Sequence, residues 1–142
     1  MRRNPDSDVR ERRIQSILES TQDVVFTLDT RGRHTGVYGS WVARSGQTPE
    51  NYLGKTAREI LGPEAAAVHE AALARALKGE FVVYDWSVTV QGRTSHYQTS
   101  LSPIRTESGE IEGVVGIGRD ITELFETQEE LRKRERELLA SA

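Results

Sequence analysis

The sequence predicts an α+β fold: a five-stranded antiparallel sheet with helices on one face, an amphipathic helix before it and a long polar helix after it. Three observations predict this. Short β-branched and aromatic runs separated by turn residues fall in two groups, at 23–38 and 81–119. A glycine-punctuated block with short helical signals stands between the groups. The last three runs are joined by tight turns, so they pair as antiparallel neighbours, and the intervening helices must cover the apolar face of the resulting sheet.

The chain has 142 residues, enough for a single core and a pair of flanking helices. Hydrophobic residues make up 36% and charged residues 29%, the charge being gathered at the two ends. The formal net charge of -3 leaves no basic footprint and argues against a nucleic-acid partner. No apolar run is long enough to enter and cross a bilayer, and the arginines of Met1–Pro5 are not followed by the apolar stretch of a signal peptide, so a cytoplasmic location is expected. The sequence contains no cysteine, which excludes disulfides, thiolate metal sites and cysteine nucleophiles.

Each element has its own signal. Residues 1–8 are polar, carry Pro5 and are expected to be disordered. From Val9 the pattern is helical, with Ile14, Ile17, Leu18 and Thr21 on one face. Asp23–Asp29 and His34–Tyr38 read as strands of a hairpin turned at Gly32. Gly39, Gly46, Gly54 and Gly62 then leave room only for short helices: Thr48 caps one that starts at Pro49, and Thr56 with Glu59 forms a capping-box pattern for another. Pro63–Lys78 is an alanine-rich helix closed by Gly79. The run 81–90 places Val82, Tyr84, Trp86, Val88 and Val90 on one face, 94–104 alternates with Tyr97, Thr99 and Leu101 on one side, and 111–119 is a last strand carrying Gly113, Gly116 and Gly118. These readings divide the chain into an N-terminal flanking helix (1–22), a core (23–120) and a C-terminal helix (121–142).

The C-terminal helix carries two further signals. Asp120 stands where an N-cap belongs, and Glu123 is placed to reach back as in a capping box. Ile121, Leu124, Gln128, Leu131, Glu135, Leu138 and Ala142 are spaced three then four apart, a heptad seam weakened by its polar members. The seam of Leu124, Leu131 and Leu138 and the stripe of Ile14, Ile17 and Leu18 are too narrow to be buried by one small sheet, so a homodimer through the flanking helices is expected. A helix of this kind ending at Ser141-Ala142 suggests a fragment of a longer signalling protein.

No constellation for catalysis is visible. There is no P-loop, no HExxH and no GxSxG, and His34, His69 and His96 are far apart in sequence on different elements. Gly113, Gly116 and Gly118 lie on a strand, where they read as sheet packing. The expectation is a binding or relay module and not an enzyme. Trp86, Tyr84, Tyr97, Trp41 and Phe26 read as core, with a pocket wall as the alternative.

At this point the residues resemble a known family. Gly113-Val-Val-Gly-Ile-Gly-Arg-Asp-Ile-Thr-Glu123 is similar to the strand end and exit helix of PAS domains. Ser102-Pro103-Ile104 before a Gly-Glu turn and Leu53-Gly54-Lys55-Thr56 before the central helix are also typical, and the likeness covers about residues 14–125. Tyr38-Gly39-Ser40-Trp41 departs from the asparagine-rich turn that many members carry there. The resemblance implies a PAS-like sheet and a sensory role, with Asp120, Thr122 and Glu123 as the signal junction to an output domain such as a kinase, a cyclase or a transcription factor. Members that sense light through a flavin adduct or a coumaroyl thioester use a cysteine, which this chain lacks. Haem, FAD, another small non-covalent ligand, or no ligand remain. Haem-binding members carry their proximal histidine on the helix corresponding to 63–78, where His69 stands on a face with Ala65, Ala72, Leu73 and Ala76; the bland alternative is a half-buried histidine bonded to a neighbour. The candidate binding set is His69, Ala65, Ala72, Leu73, Trp86, Tyr97, Thr99 and Ile117, with a metal only as haem iron on His69.

Overall fold

The computed structural model describes residues 4–141. The first helix, α1, spans Pro5–Ser20, which corrects the expectation of disorder for residues 5–8. The Asn4 side chain accepts a hydrogen bond from the Asp6 amide at 2.9 Å, and Pro5 occupies the first turn, where its missing N–H costs nothing. Residues 1–3, in the rest of that stretch, and Ala142, at the end of the heptad pattern, lie outside the described residues.

Five strands follow the expected order: β1 (Val24–Asp29), β2 (His34–Tyr38), β3 (Val82–Val90), β4 (Arg93–Arg105) and β5 (Ile111–Asp120). They form one antiparallel sheet in the order β2-β1-β5-β4-β3. Between β2 and β3 lie α2 (Ser40–Arg44), a 3-10 turn at Pro49–Asn51, α3 (Ala57–Leu61) and α4 (Pro63–Ala76); α5 (Thr122–Ser141) ends the chain. The glycine punctuation explains how short these pieces are. Gly62, at φ 84°, both terminates α3 and starts α4, a backbone conformation that an L side chain rarely adopts. Thr56 caps α3 by accepting the Glu59 amide at 3.2 Å, but the Glu59 carboxylate pairs with Arg33 at 3.0 Å and does not close a capping box.

The period-two pattern of the strands sorts their side chains onto two faces. Leu28, Val82, Leu101 and Val114 are buried together with Ala72 and Ala76 of α4, and Phe26, Leu73, Leu77 and Tyr84 pack against this cluster. On β5 the odd and even positions part: Gly116 and Gly118 are buried, whereas Ile117 is 45% exposed and pairs with Val25 and Ser100 on the outer face.

The last strand in sequence is the central strand in space. β5 pairs with β1 on one side and β4 on the other. Its glycines allow close approach. A Cβ built on Gly116 would stand 2.2 Å from Cζ of Phe26, and one on Gly113 would stand 2.3 Å from the Leu28 carbonyl oxygen. Phe26 and Leu28 come in against these positions. Gly116→Ala and Gly113→Ala should each destabilise the domain by about 1–3 kcal/mol, as overpacking does. Chemical denaturation checks this, and adding Phe26→Leu should recover much of the Gly116→Ala loss and none of the Gly113→Ala loss, because only the first collides with a side chain.

Candidate ligand site and helix junction

A cavity of about 1000 Å³ opens between the sheet and the helices α3 and α4, at the upper end of the range of small-molecule sites. Each wall follows from the strand and helix periods. β3 contributes Tyr84 and Trp86, β4 contributes Tyr97 and Thr99, β1 contributes Phe26, and α4 contributes His69 and Leu73. Phe26, Trp41, Tyr84, Trp86 and Tyr97, read from the sequence as core or pocket wall, all line the cavity, and Phe26 and Tyr84 pack against the core cluster as well.

The candidate residues do not all come together. His69, Leu73, Trp86, Tyr97 and Thr99 line the cavity. Ala72 is buried in the core cluster beneath it. Ala65 is exposed, because the turn of α4 that faces inward there is occupied by the fully buried Ala66. Ile117 points to the outer face, one residue out of phase with Gly116 and Gly118.

The polar groups of the cavity form a directed chain. The Trp86 indole N–H donates to Thr99 Oγ1 at 2.9 Å, and an indole can only donate. Thr99 itself is buried. Burial pushes the Tyr84 phenol up to about 12, with the Thr99 hydroxyl acting in the opposite direction. The Tyr84 oxygen is 2.7 Å from His69 Nδ1. His69 Nε2 is buried and has no hydrogen-bond partner among the described residues. The His69 ring meets Trp86 edge-on at 4.5 Å between centroids, and Trp86 stacks on Tyr97 at 4.6 Å.

His34 lines the same cavity, although it lies 35 positions from His69 in sequence (69 − 34). Its Nδ1 stands 2.7 Å from the Lys55 carbonyl oxygen; a carbonyl can only accept, so Nδ1 carries the proton. The His34 ring packs between Phe26 and Tyr52, with centroids at 5.6 and 5.8 Å. Both histidines titrate below the ordinary value of 6.5, chiefly because burial disfavours the cation; the charge of His34 adds to the effect on His69, and the Lys55 carbonyl opposes it at His34. His34 and Tyr52 had no candidate status in the sequence, since neither lies on a periodic run that points at α4.

The junction with α5 lies on the other side of Tyr97. The helix starts at Thr122, so Asp120 is the last residue of β5 and stands one position before the cap. Its carboxylate still accepts the Thr122 amide at 3.0 Å and the Thr122 hydroxyl at 2.6 Å. Glu123 is exposed and makes no reciprocal bond among the described residues. The second tie comes from β4: the His96 amide donates to Thr122 Oγ1 at 2.9 Å, and the His96 carbonyl accepts the Ile121 amide at 2.8 Å. The His96 ring stacks on Phe125 at 3.7 Å. Tyr97, directly opposite Asp120 in the sheet, lines both the large cavity and a cleft of about 380 Å³ bounded by Asp120 and Thr122. Burial and then the Asp120 charge raise its phenol above the ordinary value.

A family model described as the PAS fold matches residues 18–125, most of the chain. The chain belongs to the PAS family. It is 33% identical over 134 residues to the methanogenesis regulatory histidine kinase FilI of Methanothrix harundinacea, covering 93% of this chain and 15% of the relative. It is 32% identical to the virulence sensor protein BvgS of Bordetella parapertussis over 120 residues, 81% of this chain and 10% of that protein. The chain therefore spans a small part of these relatives' length. The solved PAS domain of Bordetella pertussis BvgS superposes with a TM-score of 0.64 at 27% identity, covering 89% of this chain and 98% of that one. An RNA-binding light-oxygen-voltage receptor shares the fold at a TM-score of 0.70 and 18% identity, over 100% of this chain and 40% of that one. This PAS domain is related to a segment of a regulatory histidine kinase and to a segment of a virulence sensor protein. Among the described residues no helix is long and apolar enough to cross a membrane, and no group of histidine or acidic side chains is arranged to hold a metal ion.

The half-buried histidines of this PAS domain should contribute to its acid response. Their folded-state pKa lies below the unfolded value of 6.5, so below that value the unfolded chain binds more protons and stability falls with pH. The thermal midpoint should hold above 6.5 and drop as the pH is lowered through it. His34→Gln with His69→Gln should flatten that part of the curve in scanning calorimetry.

Proposed function

We propose that this PAS domain is a sensor that takes a small non-covalent ligand into the cavity between its sheet and α4, and relays occupancy through α5 to an output domain. The observation that carries the reading is the position of Tyr97. It forms cavity wall on one side, faces Asp120 on the other, and is bonded in sequence to His96, whose backbone holds Thr122 and Ile121. A ligand that displaces the Tyr97–Trp86 stack must move β4, and β4 carries the start of α5 with it. The kinship with FilI and BvgS favours a histidine kinase as the output, and the chain's own residues offer no catalytic constellation. The absence of cysteine excludes a thioether or thioester link to the ligand.

The relay requires a partner for α5. Leu124, Leu131 and Leu138 are 57%, 54% and 70% exposed and recur every seven residues, a self-complementary seam that a second copy would cover. On α1, Ile14 and Ile17 are 57% and 65% exposed and extend the apolar surface at the other end of the chain. The reading is therefore a parallel homodimer whose helix register reports the state of the cavity.

The chain should sediment as a dimer at tens of micromolar, roughly the strength of a short weakened seam, and Leu131→Glu should return it to a monomer. A monomeric mass for the parent chain would remove the dimeric relay. In a fusion to a histidine kinase, Thr122→Val should leave the domain folded at a cost of about 1–3 kcal/mol while uncoupling autophosphorylation from the cavity. Normal regulation by a folded variant would show that the junction is only a helix cap. Native mass spectrometry of the purified chain should reveal a co-purifying small molecule.

A further inference from the structure

The cavity is long, and its two ends differ. Its wall begins at Arg31, in the turn beyond Asp29, and runs to Val88 and Val90 of β3, beyond the Trp86–Tyr97 pair. Asp29 stands opposite Gly113 and Tyr97 opposite Asp120, so the space follows β5 over seven residues (120 − 113), roughly 20 Å at about 3.3 Å each. A volume of about 1000 Å³ drawn out over that length suits an extended chain; a compact molecule would leave one end empty. Along the length the wall needs no polar partner. Leu28, Val37, Ile60, Leu73, Leu77 and Val88 supply aliphatic surface. The polar groups among them are matched within the wall: the Trp86 indole to Thr99, the Tyr84 phenol to His69 Nδ1, and His34 Nδ1 to the Lys55 carbonyl. A polar group of a ligand would lose its water there without a hydrogen bond in return.

The mouth is different. The His34 amide donates to the Lys55 carbonyl and the Gly54 amide to the His34 carbonyl, which brings Arg31 and Lys55 to the same end of the cavity. Among the described residues two carboxylates line the cavity, and each is already paired: Glu70 with Arg58 at 2.9 Å and Glu59 with Arg33 at 3.0 Å. Asp29, beside Arg31, accepts the Arg31 and Arg33 amides. Arg31 and Lys55 have no ion-pair partner among the described residues. In a chain of net charge -3, the mouth of an apolar cavity thus carries two unpaired cations.

We infer that the ligand of this cavity is an amphipathic acid: an extended aliphatic chain lying along the cavity, with its anionic head at Arg31 and Lys55. The inference rests on the cavity reading above and adds the chemistry and the direction of the occupant. A guanidinium and an ammonium both receive carboxylate or phosphate, so the head is defined by its negative charge. Held at the mouth by that head, the chain points its tail toward Trp86 and Tyr97, at the end of the cavity that adjoins the helix junction.

Both tryptophans of the chain line the cavity, so their fluorescence reports its occupancy. The chain is titrated with decanoate, decyl phosphate, 1-decanol and decyltrimethylammonium, each below its micellar concentration. At least one of the two acids should saturate the signal, and the tighter of them identifies the head group. Arg31→Gln with Lys55→Gln should weaken that acid about fivefold or more and leave 1-decanol within about twofold. Both side chains are exposed, and the Lys55 carbonyl that holds His34 is retained, so the double variant keeps its fold. Added salt should weaken the acid and not the alcohol. Equal weakening of acid and alcohol by the double variant, or weakening of neither, overturns the inference. Binding of decyltrimethylammonium as tight as that of the acids overturns it as well. Binding of 1-decanol without either acid overturns the head-group chemistry and leaves the cavity as a ligand site. Binding of none of the four overturns the inference, and native mass spectrometry of the purified chain then decides the cavity reading separately.

Discussion

The sheet depends on β5 fitting between β1 and β4, and that fit depends on side chains that β5 does not have. Gly116 leaves the space that the Phe26 ring occupies, and Gly113 leaves the space against the Leu28 carbonyl. With both edges of β5 paired, the strand that leads into α5 has little freedom to shift on its own. A central strand is held by ladder bonds on two sides, so displacement of its end requires a neighbour to move with it. β4 is that neighbour at the junction, and it is the strand that also walls the cavity.

This arrangement lets one short stretch of β4 serve two tasks. Thr99 and Tyr97 face the cavity; His96, next in sequence, turns its ring to α5 and its backbone to Thr122 and Ile121. The alternation of the strand separates the two roles by one residue. The Thr122 hydroxyl joins them, accepting from His96 and donating to Asp120, so a residue near the start of β4, the last of β5 and the first of the helix meet at one oxygen.

The fold was legible in the sequence because its signals are local. Gly32, Gly62, Gly79, Gly92 and Gly109 all adopt positive φ where turns or helix ends were read. Half of the site was legible for the same reason: Trp86, Tyr97 and Thr99 lie on strands whose alternation names their face. The errors are also physical. On α4 the inward face is narrow, and Ala66 rather than Ala65 fills it. On β5 the side of Ile117 was misjudged, because in a strand of glycines and valines both phases look apolar. The exit helix begins two residues after Asp120, where the Thr122 hydroxyl accepts from the His96 amide and the Ile121 amide donates to the His96 carbonyl, so β4 takes the place that the sequence assigned to Glu123.

The sequence by itself determined the order of elements, the antiparallel pairing, the absence of thiol chemistry and the family, because turns, periodicity and composition are written in adjacent residues. Only the tertiary structure decided that His34 and His69 line one cavity, that the His34 proton sits on Nδ1, and that β4 holds the helix junction. Those facts depend on groups brought together across the sheet: a Lys55 carbonyl against His34, a Tyr84 phenol against His69, a His96 amide against Thr122. A hydrogen bond has direction and reaches about 3 Å, and no pattern of neighbours in a chain reports which distant atom will arrive within it.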